Sequence, residues 1–346
     1  MSRKILSVVG ARPQFIKVAP LSRAIAEYKG LIEILIHTGQ HFDPNMSEIF
    51  FEELGIRKPD HTLDIHGGSH GEMTGRMIID LEHVIREEKP DAVLIYGDTN
   101  STLAGAIAAA KLFIPIAHVE AGLRSFRPMP EEINRVLADR VSRWMFCPTP
   151  TAVANLAKEG ISAGVHDVGD VMYDAIVMMR HRARNRSTIL SRLGLAPGKF
   201  QLATLHRAEN TDTREALDRA LGYLRRAARE QPLVLPLHPR TRNAAAALGV
   251  DLSSITMIEP VGYLDMMALL DGCTQVLTDS GGLQKEAYFF RKPCVTLRDA
   301  TEWVETVEAG WNRLWGGPDY TARREINAYG DGHAAAKIAD ILAAEV

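Results

Sequence analysis

Asp98, Glu120 and Glu131 are the residues with which this sequence could do acid and base chemistry. Asp98 follows the apolar stretch VLIYG and precedes a Thr/Ser-rich helix start, so capping that helix is the alternative role. Glu120 follows PIAHV and has no evident capping role, and a carboxylate at the end of a buried strand is costly unless it is paired or used. Glu131 follows Pro130 at a predicted helix start, where the dipole favours acids.

The segment TDSGGLQKEA predicts a phosphate site. An apolar strand ends at Asp279, and Ser280, Gly281 and Gly282 then open a helix, whose N–H groups and dipole favour an anion. Glu286 lies about two turns further on and could hold vicinal hydroxyls such as those of a ribose. An ordinary capped helix with a glycine turn is the alternative. Basic residues near other strand ends could contact a diphosphate: Arg12, Lys17, His206, His238 and Arg240.

Familiar cofactor and nucleophile motifs are absent from the sequence or poorly placed. No GxGxxG follows the first predicted strand, and neither GxxxxGK[ST] nor HExxH occurs, which disfavours nicotinamide, P-loop and zincin chemistry. The stretch GGSHG at 67–71 matches GxSxG, but no convincing strand precedes it, so we interpret it as a loop before a helix. We therefore expect neither a metal nor a redox cofactor.

Composition narrows the class of protein. The 346 residues are long enough for roughly two domains, and 46% of them are apolar. A net charge of -3 without a basic run argues against nucleic acid, and the first apolar run is too short for a signal peptide or a membrane span. The cysteines, Cys147, Cys273 and Cys294, have no paired spacing. A reducing cytoplasm is the expected location.

Short apolar runs alternate with helical patterns along the chain, which predicts parallel sheets built from βαβ units. A basic stretch, MMRHRARNRSTILSRLGLAPGKF, interrupts the alternation before it restarts. We therefore predict an α/β protein with two Rossmann-like, doubly wound domains and a ligand cleft at the carboxyl ends of their strands. The expected domains are 1–168 and 169–332, with a final helix at 333–346 that packs on the first domain.

An ordered set of motifs resembles the non-hydrolysing UDP-N-acetylglucosamine 2-epimerases over almost the whole chain. The motifs are GARPQFIKVAPL, TGQH, GDTNSTLAGA, HVEAGLRS, PEEINR, LHRAEN, HPRT, TDSGGLQKEA, TEWVETVEAG and YGDG. The resemblance implies a glycosyltransferase-B fold, conversion of UDP-GlcNAc to UDP-ManNAc through elimination of UDP and re-addition to a 2-acetamidoglucal, and no cofactor. It also implies a homodimer in cell-envelope polysaccharide biosynthesis.

The same resemblance implies residue roles. The catalytic set is Asp98, Glu120, Glu131 and His206. Arg12, Lys17, His206 and the turn of Ser280, Gly281 and Gly282 match the family's UDP-binding positions, and Glu286 matches the residue that holds the ribose. Arg124, His238, Arg240 and Arg298 are further expected substrate-binding residues, suggested by the sequence itself. Gln40, His41 and Arg76 match positions that bind a second UDP-GlcNAc as an allosteric activator. Glu132 and Arg135 are interpreted as helix-capping and pairing residues, while Arg124 and Arg127 either orient the acids or contact the sugar.

Several motifs depart from the plain UDP-GlcNAc enzymes. Gln14 in GARPQF stands where many of them read GTRPEA, and TLHRAENTD, QKEAYFF and TEWVE look closer to a branch that includes UDP-2,3-diacetamido-2,3-dideoxyglucuronate 2-epimerases. The extra carboxylate of that sugar needs a cation, which Arg298 or Arg127 could supply. The segment between NRLWGG and NAYGDG leaves little space for a last Rossmann helix.

Other activities fit parts of this pattern. A UDP-sugar glycosyltransferase would bind the same nucleotide, but it has less reason for three carboxylates around C2. A UDP-sugar sensor would keep the glycine turn and lose the acids. A hydrolysing 2-epimerase, which releases free sugar and UDP, is poorly separated by these motifs.

Overall fold

The computed structural model describes residues 2–40, 51–126, 128–250 and 255–346, so His41 and Arg127 lie outside the described part. The chain forms two compact units: unit 1 is Met1–Met178 with Asn327–Val346, and unit 2 is Met179–Ile326. These limits differ from the predicted boundaries at 168 and 332. Segments 169–178 and 327–332 belong to unit 1, where the Asp170 N–H donates to the Tyr329 carbonyl oxygen at 3.0 Å.

The described elements alternate as the sequence predicts. The strands are β1 (Arg3–Val9), β2 (Leu31–His37), β3 (His61–Thr62), β4 (Ala92–Tyr96), β5 (Ile116–Val119), β6 (Trp144–Cys147), β7 (Val165–Asp167), β8 (Gln201–Thr204), β9 (Leu233–Pro236), β10 (Thr256–Ile258), β11 (Val276–Thr278), β12 (Cys294–Thr296) and β13 (Asn312–Leu314). The helices are α1 (Arg12–Glu27), α2 (His70–Glu88), α3 (Asn100–Lys111), α4 (Pro130–Val141), α5 (Pro150–Lys158), α6 (Val171–Arg186), α7 (Ile189–Arg192), α8 (Ala208–Thr211), α9 (Arg214–Glu230), α10 (Pro239–Leu248), α11 (Tyr263–Gly272), α12 (Gly281–Phe289), α13 (Val304–Glu308) and α14 (Ala334–Glu345).

Unit 1 contains a parallel sheet of order β3-β2-β1-β4-β5-β6-β7. Leu6, Val8, Val93 and Ile95 are fully buried in its core, as expected for strands covered by helices on both faces. The strand order reverses between β1 and β4, and in doubly wound sheets ligands bind beyond the carboxyl ends of the strands at such a switch point.

Unit 2 repeats this architecture with the order β10-β9-β8-β11-β12-β13. Its switch point lies between β8 and β11, so His206 and Asp279 come from neighbouring strand ends. The prediction of two doubly wound α/β domains is confirmed. After β13, residues 315–326 form no helix, which agrees with the short segment noted in the sequence.

Helix starts explain two of the polar motifs. Ser69 caps α2, with its hydroxyl accepting from the Glu72 N–H at 3.3 Å and the Glu72 carboxylate accepting from the Ser69 N–H at 2.8 Å. The GGSHG stretch is therefore a loop that begins a helix, as predicted. Thr99, rather than Asp98, is the N-cap of α3, which leaves the Asp98 side chain available for another partner.

The C-terminal helix α14 packs on α1 of unit 1. The Asp174 carboxylate accepts hydrogen bonds from the first N–H groups of this helix, at 3.2 Å from Ala334 and 2.8 Å from Ala335. A carboxylate at a helix N-terminus satisfies otherwise unpaired donors. Within the described ranges, no helix has the length and hydropathy needed to cross a bilayer.

Candidate active site

Glu120 and Lys17 form an ion pair at the switch point of unit 1. Glu120 follows β5 with a φ of 70°, a left-handed conformation that is rare for residues with a side chain and clusters at functional sites. Gly97, which follows β4, lies beneath the pair. A Cβ added to Gly97 would stand 3.1 Å from Lys17 Nζ and 3.2 Å from Glu120 Oε2, so glycine leaves room for both side chains.

Asp98 is paired with the Arg135 guanidinium group from α4. The Asn134 side-chain amide donates to the Asp98 carbonyl oxygen at 2.9 Å, which fixes the turn as well. Burial opposes the charge of Arg135, but the neighbouring carboxylates of Asp98, Glu132 and Glu120 together raise its pKa. The sequence suggested only helix pairing for Arg135, and the structure places it among the carboxylates.

Glu131 and Glu132 have different surroundings although they are adjacent. Glu132 accepts from the Ser125 N–H at 2.9 Å, the Ser125 hydroxyl at 2.8 Å and the Phe126 N–H at 3.2 Å. Burial opposes ionisation of Glu132, but these hydrogen bonds and Arg135 lower its pKa overall. The half-buried Glu131 makes no side-chain hydrogen bond within the described residues, so it is the less constrained acid.

Arg124 is buried and pairs with carboxylates inside unit 1. Its side chain is 1% exposed. The guanidinium group donates to Asp139 at 2.8 Å, to Glu159 at 2.6 and 2.9 Å, and to the Leu123 carbonyl oxygen at 2.7 Å. Burial opposes its charge, yet the two carboxylates raise its pKa. These partners are not the predicted catalytic acids Glu120 and Glu131, so the role expected for Arg124, orienting those acids or contacting the sugar, stays a prediction.

In unit 2, Ser280, Gly281 and Gly282 form the start of α12 as expected. The Ser280 N–H donates to the Thr278 hydroxyl at 2.9 Å, and Ser280 is the N-cap. A Cβ added to Gly282 would meet no atom within 4 Å, so the space beside the first turn is open. At Gly281 the same position is occupied by the Glu302 carboxylate. Glu286 is buried further along α12, with 7% of its surface exposed.

His206 is oriented by Asp279, a fully buried carboxylate that the sequence marked only as a strand end. Asp279 lies 3.2 Å from His206 Nδ1 and accepts from the His206 N–H at 3.0 Å and the Arg207 N–H at 2.8 Å. Asn210 donates to the same carboxylate at 3.2 Å. The position of Asp279 immediately before the Ser-Gly-Gly turn was the sequence feature that could have indicated this role.

His238 and Arg240 lie near the end of β9 and start α10. The rings of His206 and His238 are 5.4 Å apart between centroids, so both imidazoles are near the β8 and β9 ends. Arg240 donates through Nη2 to Asp212 at 2.6 Å and through Nε to Thr211 at 3.1 Å. An anion at this position would therefore compete with Asp212 for Arg240.

Arg298 is buried between two carboxylates, with 9% of its side chain exposed. Its Nε lies 3.1 Å from Glu209 Oε1, and its Nη1 lies 2.9 Å from Glu302 Oε2. Burial opposes ionisation of Glu302, but the charges of Arg298 and Arg207 lower its pKa. These charges surround the glycine turn at the start of α12.

Arg12 begins α1 at the carboxyl end of β1. The buried Gln14 two residues later ties this end to β4. Its side-chain oxygen Oε1 accepts from the Gly10 N–H at 2.8 Å, and its side-chain nitrogen Nε2 donates to the Tyr96 carbonyl oxygen at 2.9 Å and the Thr102 hydroxyl at 3.1 Å. A glutamate would have no N–H for those two acceptors. Gln14, which differs from the GTRPEA pattern, therefore connects the ends of β1 and β4 by hydrogen bonds.

Gln40 and Arg76 make hydrogen bonds within unit 1. Gln40 Oε1 accepts from the Ser101 N–H at 3.0 Å and its hydroxyl at 2.7 Å, at the start of α3. Arg76 Nη2 donates to the carbonyl oxygens of His66 at 3.0 Å and Gly67 at 2.7 Å. His66, Gly67 and Arg76 line part of an open depression on the surface.

Comparisons with known proteins cover nearly the whole chain. A family model described as UDP-N-acetylglucosamine 2-epimerase matches residues 23–343. UDP-2,3-diacetamido-2,3-dideoxy-D-glucuronate 2-epimerase of Pseudomonas aeruginosa PAO1 is 54% identical over 98% of this chain and 99% of its own. UDP-N-acetylglucosamine 2-epimerase of Methanococcus maripaludis is 42% identical over 99% of both. The solved structure of Methanocaldococcus jannaschii UDP-GlcNAc 2-epimerase in complex with UDP-GlcNAc and UDP has a TM-score of 0.89 and 40% identity, covering 99% of this chain and 100% of that one.

Proposed function

Because this chain belongs to the UDP-N-acetylglucosamine 2-epimerase family, we propose that it inverts C2 of UDP-2,3-diacetamido-2,3-dideoxy-D-glucuronate. The observation that carries the substrate choice is the 54% identity to the Pseudomonas enzyme named for it, against 42% to the Methanococcus enzyme named for UDP-GlcNAc. The family supports the reaction class, and so do the carboxylates near the carboxyl ends of the strands of unit 1. No cofactor takes part in the proposed reaction.

The proposed reaction is an elimination followed by re-addition. The C1–O bond breaks, UDP leaves with the bonding electrons, and a base removes the C2 proton, which leaves a C1–C2 double bond. UDP then adds back to C1, and C2 receives a proton on the opposite face. Since the C2 proton is only weakly acidic, C1–O cleavage leads and the departing diphosphate must be stabilised.

In this proposal the side chains of unit 1 move protons. Asp98, Glu120 and Glu131 remove and return the C2 proton, because inversion requires donors or acceptors on both faces of the carbon. Lys17 and Arg135 support the proposal, since each holds one of these carboxylates by an ion pair. Charged partners of this kind set the charge of the acids and their orientation.

In the same proposal unit 2 binds the nucleotide. The first turn of α12, which is open beside Gly282, binds phosphate through its N–H groups and dipole. His206 is oriented by Asp279. It contacts the diphosphate and stabilises the charge of UDP as it leaves. Glu286 holds the ribose, and Arg12 is a further residue proposed to bind UDP.

The substrate's C6 carboxylate needs a cation, and Arg298 is the described candidate. Its guanidinium group is fixed by Glu209 and Glu302, so it is already oriented beside the start of α12. A ligand carboxylate would replace one of these two partners. Arg127, the other candidate from the sequence, lies outside the described residues.

UDP-GlcNAc is the second candidate substrate. The family name, the Methanococcus enzyme and the complexes of similar solved structures with UDP-GlcNAc favour it. It would give UDP-ManNAc by the same chemistry. The two candidates differ at C3 and C6 of the sugar, so they are separated by direct assay.

The test is incubation of the pure protein with each nucleotide sugar in deuterated water. We expect deuterium at C2 of both epimers of the diacetamido uronate and little exchange with UDP-GlcNAc. Exchange confined to UDP-GlcNAc would reverse the substrate choice. Release of free sugar would indicate a hydrolysing enzyme, and transfer to an acceptor without C2 exchange would indicate a glycosyltransferase.

Two further properties implied by the resemblance belong to this proposal. The first is a homodimer, for which α4 offers an exposed apolar row of Ile133, Leu137 and Val141, spaced four residues apart on one helix face. The second is activation by another UDP-GlcNAc beside Arg76. It has less support, because Gln40 Oε1 and Arg76 Nη2 already serve the fold.

A further inference from the structure

His118 is completely buried in β5 and both of its ring nitrogens have partners. Nδ1 lies 2.7 Å from Asp139 Oδ1, on α4. Nε2 lies 2.7 Å from the carbonyl oxygen of Gly97, in the turn after β4. The ring therefore connects a buried carboxylate to the main chain of the turn that carries Asp98.

Both partners of this ring are hydrogen-bond acceptors. A carbonyl oxygen only accepts, so Nε2 must carry the proton of the bond to Gly97. Burial opposes ionisation of Asp139, but the nearby charges of His118 and Arg124 lower its pKa, which keeps this carboxylate an acceptor as well. The His118 ring satisfies both neighbours only when both nitrogens carry protons.

Gly97 is the contact through which His118 reaches the reacting groups. Its peptide has a left-handed φ of 61° and lies beneath the ion pair of Lys17 and Glu120. The next residue is Asp98. A displacement of the Gly97 carbonyl group would therefore move Asp98. It would also move the main chain that contacts the Glu120 side chain.

We propose that His118 is a positioning residue, which holds the Gly97 peptide and thereby sets the positions of Asp98 and Glu120. This role rests on the proposed epimerase function. Asp139 completes the arrangement, because it also accepts from the Gly122 N–H at 3.1 Å and from Arg124 at 2.8 Å, on the segment that follows Glu120. One buried carboxylate thus orders both strand ends that carry the acids.

Two substitutions separate positioning from general stabilisation. In His118→Gln the side-chain amide nitrogen takes the place of Nε2 and can still donate to Gly97, while the bond to Asp139 is lost. In His118→Asn the amide takes the place of Nδ1 and keeps Asp139, while Gly97 loses its donor. Both variants remove one buried hydrogen bond, so their costs in stability are of similar kind.

The experiment compares kcat, KM, UDP affinity and melting temperature of the wild-type protein and both variants, using the substrate that the wild-type protein turns over. We expect His118→Asn to lower kcat by about 100-fold, the scale associated with small misplacement of reacting groups. His118→Gln should recover at least about tenfold of that loss, with UDP affinity within about threefold of wild type in both. Equal losses of kcat in the two variants would overturn the positioning role.

A second measurement does not depend on the folding of a variant. Nitrogen-15 NMR of the wild-type protein labelled at histidine should show both nitrogens of His118 protonated, with the Nε2 proton protected from exchange. A ring with an unprotonated Nε2 would overturn the proposal. If the wild-type protein epimerises no UDP-sugar, the proposed function fails, whereas an active wild-type protein with matched variants rejects only the role of His118.

Discussion

The Lys17 ammonium group and the Glu120 carboxylate form an ion pair directly above Gly97. Lys17 comes from α1, after the first strand of the sheet, and Glu120 follows the fifth, so 103 residues separate the partners in sequence. Both side chains are about nine-tenths buried, at 11% and 12% exposure. Removing one member of such a pair leaves the other charge uncompensated, so each residue must be tested with its partner in mind.

Replacement of Glu120 with glutamine should abolish turnover while leaving UDP affinity nearly unchanged. The amide keeps the shape of the side chain but cannot take up a proton, and loss of a positioned acid or base typically costs 100- to 10,000-fold, roughly, in rate. Steady-state kinetics and calorimetric titration with UDP measure the two effects. Glu27→Gln, at the exposed end of α1, is the matched control. A large loss of UDP binding in Glu120→Gln would mean that Glu120 is structural.

Replacement of Gly282 with alanine should weaken UDP binding without harming the fold. Nothing lies within 4 Å of the added methyl group, and alanine is favoured over glycine in a helix by up to about 1 kcal/mol. The methyl group would instead stand in the path of the diphosphate, so we expect at least about tenfold weaker UDP binding, or about 1.4 kcal/mol.

Gly222→Ala in α9 is the control for this change, since its nearest atom is 3.9 Å from an added Cβ. Thermal unfolding should show equal or higher stability for both alanine variants. Titration with UDP should separate them. Unchanged UDP affinity in Gly282→Ala would argue against phosphate binding at the start of α12.

Replacement of Arg298 with glutamine should lower kcat/KM for the diacetamido uronate by about ten- to 100-fold more than for UDP-GlcNAc. A charged hydrogen bond to the C6 carboxylate accounts for a difference of about 1.5–3 kcal/mol. Arg298→Lys keeps the charge but loses the planar, forked donor group, so its discrimination should be intermediate. If both substrates suffer equally, Arg298 serves only to hold Glu209 and Glu302.

Asp174, whose carboxylate contacts the start of the C-terminal helix, should make the free energy of unfolding depend on pH. Burial raises its pKa to about 6, and Asp170 adds to the shift, while the N–H groups of Ala334 and Ala335 oppose it. The folded pKa is above the unfolded value, so the native state binds more protons between about pH 4 and pH 6. The contribution of Asp174 to stability therefore falls as pH rises through this window.

Chemical denaturation of wild type and Asp174→Asn should reveal this contribution. Relative to the variant, the wild type should lose roughly 2 kcal/mol of unfolding free energy between about pH 4.5 and about pH 7.5. Asp331→Asn, at an exposed carboxylate in the same region, is the control. Parallel pH profiles for wild type and Asp174→Asn would contradict the assignment.

Replacement of Leu137 with glutamate should dissociate the proposed dimer. The charge would lie in the middle of the row formed by Ile133, Leu137 and Val141, and burying an unpaired carboxylate in an interface is costly. Light scattering coupled to size-exclusion chromatography gives the mass. Val304→Glu, at another exposed apolar position, in unit 2, should leave the mass unchanged. A wild-type monomer would reject the dimer.

The sequence alone determined the alternation of strands and helices, the two doubly wound sheets and the set of motifs that marks the family. These features depend on local periodicity and on residues placed directly after strands, which are readable in one dimension. Glu120 was already marked because a carboxylate without a capping role follows a buried strand. The glycine turn at 280–282 was readable for the same reason.

Only the tertiary structure decided which partner each charged side chain takes. Arg135 pairs with Asp98, which is 37 residues away in sequence, and Asp279 orients His206, which is 73 residues away. Arg124 forms ion pairs with Asp139 and Glu159. Such partners come from different strands and helices, and electrostatic interactions depend on distance and burial in three dimensions. The domain limits were also decided there, because the returning segment 327–346 packs on α1 and Asp174 of unit 1.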